Sequence, residues 1–295
     1  MYSQKHNFKI NQLARGLRLQ QSNTIGLIIP DISNEFFAHI ARSIEVEARL
    51  RNYSIILCDS QDQTEKEVSL IQILIERMVD GIIVAPVGLN AGHLLELRAK
   101  KIPLVLIDRY FTKIDIPQIT SANFQGALMA TQYLLEMGHR EITCIQGLPE
   151  AALNLDRVKG YRQAMTDNNL TENVRVIGVG FSSEDGYKAI MSLSEQLNFP
   201  TAIFSLSNII TLGAVKALRE IKKSIPDQVS ILTFDDHAYA AFMDPPLSVV
   251  EQNKSEMGVN AVKILDQMME DQEVSVEPMI LPCRLIRRSS VRKIN

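Results

Sequence analysis

The chain has 295 residues, 46% hydrophobic and 22% charged, which is typical of globular proteins and excludes disordered, collagenous and coiled-coil chains. No apolar run approaches the roughly 18 residues of a membrane span, and residues 1–17 contain no secretory apolar stretch. The three cysteines, Cys58, Cys144 and Cys283, are too far apart in sequence for a disulfide framework or a metal site. We therefore expect a cytoplasmic protein with no metal and no cofactor.

Positive charge is concentrated at the two ends of the chain. Residues 1–30 contain four Lys or Arg and residues 284–295 contain five, with no acidic residue in either stretch, although the net charge of the chain is −3. A basic leader on an acidic body favours an end that meets a polyanion, with a solvated terminus as the alternative.

From residue 24 onwards, short apolar runs alternate with helical patterns. The strand-like runs are residues 24–30, 53–60, 81–86, 104–108, 142–147, 175–180, 201–207 and 229–234. The helical segments include residues 36–50, 66–80, 125–138 and 183–197, and in the first of them Phe37, Ile40, Ile44 and Ala48 share one face. Continuously apolar strands that alternate with helices predict parallel sheets buried on both faces.

Eight such strands could close one barrel or form two doubly wound lobes. Polar residues follow strands along the whole chain, at Asp31, Asp59, Asp108, Asn123, Ser207 and Asp235. Open sheets bind ligands beyond the carboxyl ends of their strands, so we predict two α/β lobes with a ligand cleft between them. Residues 247–254 and 277–291 predict extended crossings, with a helix over residues 258–271 between them.

Residues 8–22 form a short helical candidate in which Leu13 and Leu17 are spaced i, i+4 and Arg15 and Arg18 flank them. A helix of about eight residues is too short to be stable alone, so we expect it to fold against a partner. A basic helix with an apolar face fits a DNA minor groove, where a leucine can wedge between base steps. Packing on the protein's own core is the alternative.

INQLARGLRLQQSNTIGLIIPDISNEFF resembles the hinge helix and first strand of the LacI/GalR family of bacterial repressors. The resemblance continues through VDGIIVAP, PLVLIDR, MGHREITCIQG, RVKGYRQAM, IPDQVSILTFDD and LIRRSSV, and covers residues 8–292. It implies a two-lobed core of the periplasmic-binding-protein-like type I fold, preceded by a short hinge helix. The implied domains are a hinge segment at 1–22, an N-terminal lobe at 23–122 and 253–281, and a C-terminal lobe at 123–252 and 282–295.

The family's helix-turn-helix headpiece precedes its hinge, and this sequence carries only the hinge and a few residues before it. The resemblance implies DNA contacts by Asn11, Ala14 and Leu17, with Arg15 and Arg18 beside them. Leu17 matches the intercalating leucine, whereas Ile10 stands where a proline is frequent.

The core is also similar to the periplasmic ribose-binding protein. This second resemblance implies an effector site of polar side chains and aromatic walls, formed by Asn34, Phe36, Phe37, Asp108, Arg109, Asn123, Arg157, Phe181, Ser207, Asp235 and Gln252. Ala85 and Ser207 depart from the pattern, because an asparagine is expected at each. The residue types suit a sugar, since aromatic rings cover its apolar faces and charged groups bind its hydroxyls.

Several of these residues also have purely structural interpretations. Phe36 and Phe37 could be core residues, and Arg157 could pair with Asp156 or Glu150. Asn208 is predicted to cap a helix rather than to bind the effector. Of the adjacent Asp235 and Asp236, we predict that Asp235 faces the ligand.

Asp108 and Asp235 could instead serve a glycosidase. Nearby cations and amides are expected to keep both ionised rather than to create a general acid. The chain also contains no hydrolase, zinc-protease or phosphate-loop motif. We therefore expect a binding protein and not an enzyme.

The functional hypothesis is a sugar-responsive transcriptional repressor. A sugar or sugar phosphate in the cleft would control hinge-helix order and operator binding by a homodimer. The alternative is a cytoplasmic sugar-binding receptor module with no role in DNA binding, and the basic hinge argues against it.

Overall fold

A computed structural model of the protein describes residues 22–294. The strands in this range are β1 (Thr24–Ile29), β2 (Ser54–Asp59), β3 (Gly81–Val84), β4 (Leu104–Ile107), β5 (Gln118–Ser121), β6 (Ile142–Ile145), β7 (Arg175–Ile177), β8 (Ala202–Ser205), β9 (Ser230–Phe234), β10 (Ser248–Glu251), β11 (Met279–Leu281) and β12 (Arg284–Ile286). The helices are α1 (Glu35–Leu50), α2 (Thr64–Glu76), α3 (Gly92–Ala99), α4 (Asn123–Glu136), α5 (Ala152–Asp167), α6 (Ser183–Ser194), α7 (Asn208–Glu220) and α8 (Lys254–Met269). None of these helices is long and apolar enough to cross a bilayer.

The strands form two six-stranded sheets and not one closed barrel, as the sequence predicts. The strand order is β11-β5-β4-β3-β1-β2 in the first sheet and β12-β10-β9-β8-β6-β7 in the second. β12 runs antiparallel to β10, with Val249 opposite Ile286, whereas the central strands pair in parallel. The expectation of wholly parallel sheets is therefore wrong at this edge. No crossover helix joins β12 to a neighbour, so its direction is not constrained to be parallel.

Burial explains why the apolar runs become strands. Every residue of β3 and β4 is buried, and so is every residue of β1 after Thr24. The edge strand β2 leaves Ser54 and Leu57 exposed. Central strands of α/β sheets have both faces covered, which continuous Ile, Val and Leu can satisfy and alternating polar residues cannot.

Helix α1 follows the same logic with a helical period. Phe37, Ile40, Ile44 and Ala48 are buried, which confirms the predicted face. The side chain of Asn34 begins the helix by accepting a hydrogen bond of 3.1 Å from the backbone N–H of Phe36. Such a cap satisfies one of the N–H groups that a helix start leaves without an intrahelical acceptor.

The described residues divide into two compact units. The first unit contains the residues up to Ile107, with Ile114–Pro117 and Gly258–Glu277, and the second contains Asp108–Lys113, Gln118–Met257 and the residues from Pro278 onward.

The second unit has a hydrophobic core on each face of its sheet. One cluster of buried side chains contains Phe204 and Leu232, and a separate cluster contains Ile203 and Ile231. Consecutive residues of a strand point to opposite faces, so helices cover the second sheet on both sides. The carboxyl ends of its strands remain as the edge at which polar side chains can gather.

Three local predictions differ from the structure. The run 175–180 becomes a strand only to Ile177, because Gly178 turns the chain with a φ of 101°. The predicted helix over 258–271 begins earlier, at Lys254, and ends at Met269. Strand β5 was not predicted, since its sequence QITS has no apolar run.

Two helices of the second unit, α6 and α7, meet through glycines. A Cβ at Gly213 would lie 1.7 Å from the carbonyl oxygen of Ser183, and one at Gly186 would lie 2.0 Å from the carbonyl oxygen of Ile210. Both obstacles are backbone atoms, so the helices could accept a methyl group only by moving apart.

We expect Gly213→Ala to reduce the free energy of unfolding by about 2–3 kcal/mol, because the added methyl group separates two packed helices. Urea denaturation followed by circular dichroism measures this change. Gly92→Ala is the matched control, since its Cβ would meet only the flexible side chain of Asn90, at 3.2 Å. Equal stability of the two variants would contradict close packing at Gly213.

Candidate functional site

Three of the predicted ligand residues follow neighbouring strands of the second sheet. Ser207 lies two residues after β8, Asp235 directly after β9 and Gln252 directly after β10. Parallel strands place these positions at one edge, where open α/β sheets bind ligands. Asp108 and Asn123 also follow strands, β4 and β5, and both belong to the second unit.

The guanidinium group of Arg157 lies at the centre of this polar cluster. Arg157 is 3% exposed, and its Nε donates a hydrogen bond of 2.8 Å to Oδ1 of Asn123. One terminal nitrogen donates to the carbonyl oxygen of Leu206 at 2.6 Å. The guanidinium carbon lies 3.9 Å from the centre of the Phe234 ring. The structure therefore joins Arg157 and Asn123, and not Arg157 and an acidic neighbour on its own helix.

Asp235 and Gln252 form a second buried pair. Nε2 of Gln252 donates a hydrogen bond of 2.5 Å to Oδ1 of Asp235. Within residues 22–294, Oε1 of Gln252 is buried and accepts no hydrogen bond. Asp236 lies in a different environment, because both its carboxylate oxygens accept from Arg288, at 2.9 and 2.7 Å. Asp235, and not Asp236, thus belongs to the polar cluster.

Asp108 is the most strongly perturbed carboxyl group of the cluster. Burial raises its pKa to about 6, although the guanidinium groups of Arg157 and Arg109 act in the opposite direction. The negative charge of Asp235 adds to the increase. The expectation that nearby cations would prevent such a shift is wrong for Asp108, because desolvation outweighs them. Burial is a sufficient cause, so the shift does not by itself indicate general-acid chemistry.

Both carboxylates occupy backbone positions of an unusual kind. Asp108 has a φ of 61° and Asp235 a φ of 72°. Aspartate tolerates this left-handed region better than most residues do, and such conformations often occur at binding sites. The turn after each strand therefore fixes the direction of the carboxylate.

Arg109 and Phe181 form the border of the cluster. The guanidinium carbon of Arg109 lies 6.0 Å from the centre of the Phe181 ring. That ring packs over Gly147, where a Cβ would approach it to 2.1 Å. Beside them, the hydroxyl of Tyr110 donates to Oδ2 of Asp156 at 2.5 Å.

Ser207 has a structural role in addition to its predicted one. Its hydroxyl accepts a hydrogen bond of 3.2 Å from the backbone N–H of Ile209 and so caps α7. The prediction that Asn208 is the cap is therefore wrong by one residue, since Asn208 is the first residue of the helix. A small cavity of about 10 Å³, the size of about one water molecule, lies beside Asn208 and Asp235.

The remaining predicted effector residues belong to the first unit. Asn34 caps α1, and Phe36 and Phe37 are 4% and 5% exposed. Their ring centres are 5.1 Å apart in an edge-to-face arrangement. Ala85 directly follows β3 and is fully buried. An effector role for these residues stays a prediction.

The predicted DNA contacts Asn11, Ala14, Arg15, Leu17 and Arg18 lie outside the described residues. Among residues 22–294, no three His, Cys, Asp or Glu side chains are arranged to hold a metal ion.

Sequence reasoning missed two parts of the cluster, the Phe234 ring and the carbonyl group of Leu206. Both are joined to Arg157 across many residues of chain. The position of Phe234, last in a buried strand and directly before Asp235, was the one available signal.

Comparisons with known proteins agree with this architecture. The periplasmic binding protein-like domain family matches residues 131–291. The HTH-type transcriptional repressor PurR of Actinobacillus pleuropneumoniae serotype 3 is 32% identical over 99% of this chain and 88% of its own length.

Two solved structures extend the likeness to the three-dimensional fold. A putative ribose operon repressor from Burkholderia thailandensis is 33% identical with a TM-score of 0.81, covering 90% of this chain and 99% of that one. A LacI family transcriptional regulator from Enterococcus faecium, solved with bound ribose, is 26% identical with a TM-score of 0.83. That likeness covers 92% of this chain and all of the other.

The raised pKa of Asp108 predicts a pH dependence of stability. The folded state holds its proton up to about pH 6, whereas the ordinary value is 3.8. The folded state therefore binds more protons in this interval, so the free energy of unfolding falls as the pH rises through it. Between about pH 4 and pH 7, we expect the wild type to lose about 3 kcal/mol relative to Asp108→Asn, which cannot titrate.

Urea denaturation at a series of pH values measures this difference. Asp227→Asn, at an exposed position, is the matched control and is expected to follow the wild type. If Asp108→Asn also follows the wild type, the assignment of the shift to Asp108 is wrong.

Proposed function

Because this chain belongs to the LacI family of transcriptional regulators, we propose that it is a repressor whose binding to operator DNA is controlled by a sugar or sugar phosphate. The effector binds to the polar cluster of the second unit, and Asn34, Phe36 and Phe37 contribute from the first. The protein acts in the cytoplasm as a homodimer and is not an enzyme.

One observation carries the effector part of this proposal. Oε1 of Gln252 is a buried acceptor without a hydrogen bond in the described chain, and it lies beside the carboxylate of Asp235. A buried acceptor left without a donor costs about 1–3 kcal/mol, which a bound hydroxyl group would recover. The ribose found in the Enterococcus faecium relative supports a carbohydrate as the source of that hydroxyl group.

The DNA part of the proposal rests on the basic hinge segment at residues 1–22 and on the family. Leu17 wedges between base steps, and Asn11, Ala14, Arg15 and Arg18 contact the minor groove. Effector and DNA bind at distinct sites, so each must change the affinity for the other by the same factor.

A thermal-shift screen tests the effector. The probes are D-ribose, further pentoses and hexoses, and their phosphates. A ligand at about 1,000 times its Kd adds about 4 kcal/mol to stability and raises the melting temperature on the order of 10 °C. For the sugar that binds, we expect Gln252→Ala to weaken binding at least about tenfold, because it removes an acceptor and leaves Asp235 without its partner.

Gln267→Ala is the matched control, because Gln267 is exposed on α8 and lies in the first unit. It is expected to bind the sugar as the wild type does. A screen in which no carbohydrate changes the melting temperature would refute the proposed effector class. A hit that Gln252→Ala leaves unchanged would refute the proposed site.

A mobility-shift assay tests the DNA role on the intact protein. The wild type first selects its operator from a random-sequence pool. We expect Leu17→Ala to weaken operator binding at least about tenfold, since the wedge contact is lost, and to leave sugar affinity unchanged. Leu19→Ala is the control, because it lies on another face of the predicted helix. Retention of operator binding by Leu17→Ala, or equal loss of sugar binding, would contradict the assignment.

A further inference from the structure

The polar cluster contains more acceptors than donors for a ligand. Its acceptors are the buried carboxylates of Asp108 and Asp235 and Oε1 of Gln252. Its charged donors are Arg109 and Arg157, and Arg157 already donates through two of its three nitrogens to Asn123 and the Leu206 carbonyl. A ligand that fits must therefore bring several hydrogen-bond donors.

The cluster is also close to electrically neutral. The two guanidinium groups are matched by the two carboxylates, which lie near enough to influence one another's charge. The nearest further cations are engaged elsewhere, since Arg288 binds the carboxylate of Asp236 and Lys254 donates to its carbonyl oxygen at 2.7 Å. Positive charge from these side chains is therefore not available to an anionic ligand.

Helix N-termini at the same edge do not supply the missing charge. The start of α7 is capped by Ser207, and the start of α6 by a reciprocal pair of hydrogen bonds between Ser182 and Asp185. Helix α4 begins at Asn123 without a side-chain cap and contributes about half a positive charge. A phosphate group carries about −1.5 to −2 at neutral pH and offers acceptor oxygens. Half a charge does not balance it in a buried site that already holds two carboxylates.

We infer that the effector is an uncharged sugar, and that the same site discriminates against its phosphorylated form. This inference rests on the proposed function and narrows it to one of two effector classes. Each hydroxyl group of a sugar can donate to Asp108, Asp235 or Gln252, whereas a phosphate would face the same oxygens with acceptors only.

Isothermal titration calorimetry on the full chain tests this choice with matched ligand pairs. The pairs are D-ribose with ribose 5-phosphate and D-glucose with glucose 6-phosphate, and inorganic phosphate serves as a further probe. For the pair whose uncharged member binds, we expect the phosphorylated member to bind at least about 100-fold more weakly. We expect no heat of binding from inorganic phosphate alone. Equal or tighter binding of a phosphorylated member would overturn the inference and leave a sugar-derived effector in place.

Asp235→Asn and Asp108→Asn then test the cause. Each removes one negative charge and keeps a side chain of similar shape, so the ratio of the two dissociation constants should fall at least about tenfold. Asp227→Asn changes the net charge equally at an exposed position and should leave the ratio unchanged. If both cluster variants keep the wild-type ratio, the carboxylates are not the origin of the discrimination. If none of the four sugars binds, the effector class under Proposed function fails before this choice arises.

Discussion

A positive charge buried among carbonyl, amide and carboxylate oxygens, that of Arg157, is the interaction on which the rest of the polar cluster depends. A buried guanidinium group is tolerated only where its N–H groups are satisfied and its charge is balanced. Its partners come from the start of α4, the chain after β8 and the end of β9. One side chain thus fixes a helix and two strand ends relative to one another, and the two carboxylates that surround it keep the site neutral.

Burial, and not the count of neighbouring charges, decides the state of these carboxylates. Asp108 has two guanidinium groups near it, yet its pKa is raised, because its removal from water has the larger effect. Such a carboxyl group is poised to respond to any ligand that changes its solvation. Ligand binding and proton binding are consequently linked in this site.

The sequence predicted the parts of the fold that have a local signal. Apolar runs such as GIIV and LVLI become buried central strands, and the face of α1 follows from the spacing of Phe37 and Ile40. The resemblance to the LacI family, carried by short motifs in order, is confirmed by the comparisons. QITS was missed because its burial comes from its neighbours in the sheet and not from its composition.

The candidate site was predictable in its membership but not in its connections. The partners of Arg157 lie about 30 to 50 positions away in sequence, beyond the reach of any periodicity. Serine and asparagine are both good helix caps, so the sequence could not decide between Ser207 and Asn208. The pKa of Asp108 depends on burial, which its sequence neighbour Arg109 does not reveal.

The left-handed backbone at Asp108 and Asp235 has an evolutionary consequence. Only glycine, asparagine and aspartate adopt such a φ at little cost. A glutamate or glutamine at either position would have to strain the turn or move the strand end. Mutation can therefore remove a carboxylate from this site more easily than it can lengthen one. New ligand preferences would then arise first in the side chains around these turns, while the two turns themselves restrict the available mutational routes.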